Sequence, residues 1–358
     1  MRIELLVDSA EFWDRAREDL RRARRSAYLQ TFSFEGDEVG AALGATLSGS
    51  PATDRRLLVD GYSLLVHNDR LIAGPAWLDR AFRREVRSTH RWVRHLRRQG
   101  VGVRFGNPPG PSPRALLGRD HKKLAVFDGR VAYLGGINFC DHNFAWHDMM
   151  LRVEDAALAS HLEADFLATW EGRPAPSDRT FGPLRVMSLS GRGNPAMFAP
   201  LLDLISGARR GIDVVSAYLS PPFTRHLAAA RGRGVRVRIL TPARNNKSNL
   251  ARFVREAAFR HHFELIPYPD RMNHMKAMVV DDETLIVGSS NFDAMSYHLL
   301  GELIVVTRDA AVLDAFRTRV WEPDTLGRRE PAWATPGTRW GHRAVRLGAA
   351  LASAFAIY

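Results

Sequence analysis

The chain has 358 residues, 45% of them hydrophobic and 25% charged; it can bury one large core or two ordinary ones, and is unlike a disordered or fibrous chain. Lys and Arg number 51 against 39 Asp and Glu, and the formal charge of +12 favours an anionic partner, either nucleic acid or an acidic membrane surface. Cys140 is the single cysteine, which excludes a disulfide framework and a Cys-rich zinc site.

In chain order, the first half reads as alternating helices and strands. Residues 28–32 and 56–60 read as strands, each with a helix-like stretch ahead of it. From 81 to 98, Phe82, Val86, Val93 and Leu96 fall at helical spacing, while Arg83, Arg84, Arg87, Arg91, Arg94, Arg97 and Arg98 crowd the rest. Such a face is either simply solvated or turned toward phosphates or lipid headgroups. A strand at 101–105 leads through a Pro-containing loop into His121-Lys122-Lys123-Leu124-Ala125-Val126-Phe127-Asp128. Asp128-Gly129 then supplies turn chemistry, and 130–134 returns as the second strand of a hairpin.

The second half repeats the first. Strands are expected at 213–218, 235–240 and 263–266. His274-Met275-Lys276-Ala277-Met278-Val279-Val280-Asp281 matches the earlier motif at one constant offset, which carries 121 to 274, 123 to 276 and 128 to 281. The same offset carries Gly135-Gly136-Ile137-Asn138 to Gly288-Ser289-Ser290-Asn291. Residues 171–183, with Pro174, Pro176, Gly182 and Pro183, read as the seam, giving units at 1–175 and 184–322. Residues 323–358 read as a Pro/Gly-rich linker and a tail in which His342, Arg343 and Arg346 precede an apolar end. That tail suits either interfacial attachment or docking on the body. The amino terminus runs into a charged amphipathic stretch rather than a signal core, and no run of about 18 apolar residues occurs. A cytoplasmic protein is expected.

His and Lys two residues apart on a strand point to one face. The pairs Gly135-Gly136 and Gly288-Ser289 put small residues where a backbone must come close to something, each followed by an amide, Asn138 or Asn291. Imidazole can attack or shuttle a proton, while ammonium and amide stabilise charge, so each set suits an oxyanion. Asp148 and Glu302 each open a later strand at nearly the same distance from their histidine. A carboxylate accepting from Nδ1–H would fix the imidazole tautomer. His147 is expected on the opposite strand face, without a direct role. Asp128 and Asp281 read as hairpin-turn residues. The lysine two residues from each histidine stands where a second metal ligand would be needed, so neither a metal nor a cofactor is expected.

Taken together, these residues resemble the twin motifs of the phospholipase D superfamily, across roughly 20 to 310, and within it the bacterial cardiolipin synthase branch. The sequence departs from that branch at Met295, where Arg is usual, and Leu300, where Asn is usual. The resemblance implies an α/β fold of two similar units with central mixed sheets packed about a pseudo-twofold axis, their motifs meeting at one active site. It also implies metal-independent phosphodiester chemistry through a phosphohistidine. His121 would be the nucleophile and His274 the general acid, or the reverse, with Lys123, Lys276, Asn138 and Asn291 on the phosphoryl oxygens. The expected activity is phosphatidyl transfer between phospholipids, forming cardiolipin and glycerol from phosphatidylglycerol, on the inner leaflet of the cell membrane. The alternatives are a phospholipase D-type hydrolase and a phosphodiesterase or nuclease on nucleic acid, whose backbone would also attract this charge. No helix-turn-helix, finger or RNA-binding signature supports the last.

Overall fold

The computed structural model describes residues 1–327 and Leu347. The chain divides into two compact units, with the boundary between Ala175 and Pro176.

The first unit contains strands β1 (Arg2–Val7), β2 (Ser26–Thr31), β3 (Asp54–Asp60), β4 (Val66–His67), β5 (Arg70–Leu71), β6 (Gly102–Gly106), β7 (Leu124–Phe127), β8 (Val131–Gly135) and β9 (Met149–Glu154). Its helices are α1 (Asp8–Arg22), α2 (Glu38–Ser48), α3 (Arg80–Arg98), α4 (Pro113–Leu117), α5 (Asp141–Phe144) and α6 (Ala156–Trp170). Seven strands form one mixed sheet in the order β1-β9-β8-β7-β2-β3-β6, and β4 pairs with β5 alone. Strands β2, β3 and β6 are mutually parallel, and every other pair is antiparallel. The parallel strands are joined through α2 and α3, as parallel pairing requires a crossover. Every residue of β2 is buried, as expected of a central strand covered on both faces.

The second unit contains β10 (Ser177–Phe181), β11 (Leu184–Ser190), β12 (Gly211–Ser216), β13 (Arg236–Pro242), β14 (Glu264–Tyr268), β15 (Lys276–Val280), β16 (Thr284–Gly288) and β17 (Gly301–Thr307). Its helices are α7 (Asn194–Gly207), α8 (Phe223–Gly232), α9 (Ser248–His261), α10 (Ala294–His298), α11 (Ala310–Phe316) and α12 (Glu322–Thr325). The sheet order β10-β11-β17-β16-β15-β12-β13-β14 repeats the first unit strand for strand, with β10 added at one edge. Each unit has its own core. Phe12, Leu29, Phe34, Leu57 and Phe127 anchor one, and Phe198, Ile212, Val214, Phe223 and Phe292 the other.

Two stretches differ from the sequence reading. Residues 177–181 lie inside the stretch read as a seam, yet pair with β11 through a turn in which Gly182 has φ +50°. The residues of β10 are largely exposed and include Asp178 and Arg179, so the strand lacks the apolar alternation that betrays a half-buried one. At the other end, α12 runs into the stretch read as a linker. The tail at 340–358, apart from Leu347, lies outside the described residues. Among the described residues no helix is long and apolar enough to cross a membrane.

Both motif hairpins turn through two residues of positive φ: Asp128 and Gly129 at +54° and +61°, and Asp281 and Asp282 at +56° and +58°. That is the turn whose twist suits a two-stranded ribbon. The aspartates also clamp the sheet. The Asp128 carboxylate accepts from the backbone N–H groups of Arg24, Arg25 and Ser26 at 2.8–3.1 Å, and Asp281 does the same for Arg209, Arg210 and Gly211 at 2.7–3.1 Å. Each turn is thereby tied to the chain entering the adjacent strand, β2 or β12. Burial raises the pKa of both carboxyls, but these donors outweigh it and hold them below the ordinary range. Their stabilisation is therefore complete above the unfolded carboxyl pKa of about 4, and is lost as pH falls through the depressed folded value. Asp128→Ala and Asp281→Ala are each expected to destabilise their own unit by about 1–3 kcal/mol, allowing for solvent screening. Urea unfolding at pH 7 and again near pH 3 checks this, since the cost should shrink at the lower pH.

Candidate active site

Each motif histidine sits just ahead of its strand rather than within it, because β7 begins at Leu124 and β15 at Lys276. The residue before the histidine shapes this approach. Lys122 N donates to Asp120 Oδ1 at 3.1 Å, and Met275 N donates to Asn273 Oδ1 at 3.2 Å. These are matching Asx turns, each with the histidine at its apex. Asp120 and Asn273 stand at the same offset as the rest of the repeat, so an alignment begun one residue earlier would have found them.

In the first unit, Asp120 is fastened further. Its carboxyl accepts from Gln30 Nε2 at 2.8 Å, and its N–H donates to Asp60 Oδ2 at 2.7 Å. Arg119 reaches Asp60 at 3.4 Å. Burial pushes Asp60 up to about 6, against the pull of Arg119, and pushes Asp120 up to about 7, against that of Lys122. The sequence reading missed this set.

The lysines behave alike in the two units. Lys123 Nζ donates to the carbonyl oxygen of His121 at 2.6 Å. Lys276 Nζ donates to that of His274, and lies 2.8 Å from His274 Nδ1. Both lysines and both histidines are buried, and an aromatic ring stands edge-on to each imidazole: Phe32 at 5.0 Å from His121, Tyr218 at 6.0 Å from His274. Lys122, between His121 and Lys123, points elsewhere, into a buried ion pair with Asp165 at 2.8 Å.

Strand register brings the remaining candidates to the same end of each sheet. Leu124 pairs with Leu134 and Gly135 with Met150, which places Lys123, Gly136 and Asp148 at one end of β7-β8-β9. In the second unit Ala277 pairs with Val287 and Gly288 with Ile304, which places Lys276, Ser289 and Glu302 likewise. Asp148 and Glu302 are equivalent, since each stands two residues ahead of the partner of its glycine. The extra residue in the second spacing falls in the loop that carries α10. This is also the carboxyl end of the parallel strands, where open α/β sheets bind ligands.

The small residues have a visible purpose. A side chain at Gly136 would fall 2.2 Å from Asp148 Oδ1, and one at Gly135 would meet the Met149 carbonyl. Gly288, at φ +155°, stands in the same way against the Leu303 carbonyl. Where the first unit has Gly136 beside Asp148, the second has Ser289 beside the longer Glu302. There the carboxylate accepts from the Ser289 hydroxyl and from Ser296 Oγ at 2.8 Å. Asn138 and Asn291 are both buried, with Asn138 Oδ1 accepting from Thr31 Oγ1 at 3.3 Å.

Three residues stand apart from this cluster. Asp128 and Asp281 lie at the far end of the motif strand; β7 alone interposes 4 residues, roughly 13 Å of strand. His147 faces away and pairs with Asp8 at 2.7 Å. Each unit thus presents an imidazole, an ammonium, an amide and a carboxylate around one strand end, suited to nucleophilic or acid–base work on an anionic ester.

A family model described as "Cardiolipin synthase, PLD-like domain" matches residues 17–170 and 201–322, more than half of the chain. The minor cardiolipin synthase ClsB of Bacillus subtilis is 28% identical over 334 residues, covering 86% of this chain and 78% of that protein. The cardiolipin synthase of Listeria welshimeri is 26% identical over 332 residues, covering 83% of this chain but only 63% of its own length. Among solved structures, the phosphatidylserine synthase of Haemophilus influenzae superposes with a TM-score of 0.70 at 15% identity, covering 98% of this chain and 93% of that one, a likeness of fold. The duplicated strand-end cluster and the family match agree: the chain belongs to the cardiolipin synthase, phospholipase D-like family, and is an enzyme of the phosphatidyltransferase and phosphodiesterase kind.

Proposed function

We propose that the protein is a phosphatidyltransferase that works through a phosphohistidine, and that it converts two phosphatidylglycerol molecules into cardiolipin and glycerol. The observation that carries this reading is the duplication itself. A one-step displacement needs one such cluster, whereas a double displacement uses one histidine as nucleophile and another as acid and then base.

In the proposed sequence, His121 Nε2 attacks phosphorus and the bond to the leaving glycerol breaks. The departing oxygen takes a proton from His274. His274 then takes the proton of the acceptor hydroxyl, whose oxygen attacks phosphorus and breaks the phosphorus–nitrogen bond. Lys123, Lys276, Asn138 and Asn291 hold the charge that builds on the phosphoryl oxygens. Asp148 and Glu302 orient the imidazoles. No step calls on a metal.

Surface chemistry supports a lipid substrate on an anionic leaflet. Phe82, Val86, Val93 and Leu96 of α3 are buried, leaving Arg84, Arg87, Arg91, Arg94 and Arg98 exposed. Leu71 and Leu78, just ahead of this helix, are also exposed, and a basic face beside apolar side chains suits the headgroup region.

Product analysis tests the reading. The purified protein with phosphatidylglycerol vesicles, EDTA being added with the substrate, is expected to yield cardiolipin and glycerol in equal amounts. Phosphatidic acid as the main product would replace the transferase with a hydrolase. Cleavage of a nucleic-acid diester without any lipid product would overturn the lipid reading.

A further inference from the structure

One cluster in the first unit has no counterpart among the described residues of the second and takes no part in the motif chemistry. The chain between β3 and β6 (61–101) is much longer than that between β13 and β14 (243–263), and it carries the β4–β5 ribbon ahead of α3. His67 lies in β4 and Glu85 on α3, while Glu35 follows β2 and His142 lies on α5. These four elements, distant in sequence, converge on the Glu35 carboxylate.

The distances suit a cation. His67 Nε2 lies 3.3 Å from Glu85 Oε1 and 3.9 Å from Glu35 Oε2, and His142 Nδ1 lies 3.8 Å from Glu35 Oε2. In each trio, Glu35-His67-Glu85 and Glu35-Cys140-His142, the ligand atoms fall within 4.8 Å of one another. Tetrahedral zinc, with bonds of about 2.0–2.2 Å to nitrogen and oxygen, holds its ligand atoms roughly 3.3–3.6 Å apart. The first trio comes close to that, with His67 and Glu85 already at 3.3 Å, whereas His142 groups with Glu35 but not with His67 and Glu85.

A second observation points the same way. Glu35 Oε2 and His67 Nε2 are both buried and make no hydrogen bond, although their residues are 3% and 1% exposed. Burying a carboxylate oxygen and a ring nitrogen unsatisfied is costly, and a shared cation would satisfy both. Two carboxylates and a neutral imidazole also balance a divalent charge. The Glu35 side chain is otherwise held in place, since its Oε1 accepts from Asn68 N at 2.7 Å. Cys140 Sγ instead donates to Asn143 Oδ1 at 2.9 Å, which leaves it outside the ligand set.

We infer that Glu35, His67 and Glu85 form a structural site for a zinc-like divalent cation, with water completing its coordination. The ion would pin the β4–β5 ribbon, with its exposed Leu71, to α3 and to the chain that follows β2. Carboxylate and imidazole ligands favour zinc or a neighbouring first-row ion over calcium or magnesium.

The test uses the full chain, stripped with a strong chelator and titrated with zinc chloride. The expected result is one bound zinc per chain and a raised melting temperature. Glu35→Gln keeps the acceptor for Asn68 but removes the anion, so the stripped variant should melt no lower than the stripped wild type. Glu35→Gln and His67→Gln should each weaken zinc binding by at least about tenfold and abolish the zinc-dependent rise in melting temperature. A folded wild type that binds no stoichiometric zinc would overturn the inference, as would variants that bind zinc like the wild type.

Discussion

His121→Ala and His274→Ala are expected to fail alike on phospholipid and to part company on an activated ester. On phosphatidylglycerol each should lower turnover by at least about a thousandfold, since a nucleophile and a general acid are both indispensable when the leaving group is an alkoxide. A phosphodiester with a nitrophenol leaving group departs without protonation. His274→Ala should then release close to one equivalent of nitrophenolate per enzyme and stall, because no base remains to activate the acceptor. His121→Ala should release none. Rapid-mixing absorbance measurements, with acid quenching to trap the phosphoryl-enzyme, check both outcomes. A burst from His121→Ala alone would exchange the two roles. No burst from either variant would remove the phosphohistidine.

Much of this arrangement was legible in the sequence because it is written twice. A single His-x-Lys carries no signal, but the shared offset of His121, Lys123, Asp128 and Asn138 marks out the hairpins and the strand end, and the carboxylates Asp148 and Glu302 follow at nearly that offset. The parts that escaped are those the repeat does not show. Asp60 and Arg119 reach the site through the chain's path, and Pro242 stands at the end of β13 as Asp60 does at the end of β3, so comparison of the halves hides the carboxylate. His67 in the ribbon and Glu85 on α3 lie in the stretch between β3 and β6 that is longer than its counterpart, so comparison of the halves offers nothing to match them. Edge strand β10 escaped for another reason, since exposure on both faces erases the apolar period. The reading of Asp128 and Asp281 as turn residues agrees with their positive φ, but their clamp on β2 and β12 depends on contacts across 70 residues or more, which no local pattern contains.

The repeat also shows how one buried charge can be dispensed with. Lys122 is 1% exposed and its ammonium lies 2.8 and 3.0 Å from the two oxygens of Asp165 on α6. The equivalent position in the second unit is Met275, fully buried, so the fold accepts an apolar side chain there. Removing one partner takes the closest counter-charge from the other buried group, and Asp165→Ala is expected to destabilise the first unit by about 3–5 kcal/mol. Replacing both is a different matter, because desolvating two charges cancels much of their attraction. Lys122→Met with Asp165→Leu should recover most of that loss, and should leave phosphatidyl transfer intact because Lys122 faces away from His121 and Lys123. Thermal unfolding of the single and double variants, beside the lipid assay, decides it. A double variant as unstable as Asp165→Ala would mean that the pair is needed for the fold, and that Met275 is tolerated only by the packing of its own unit.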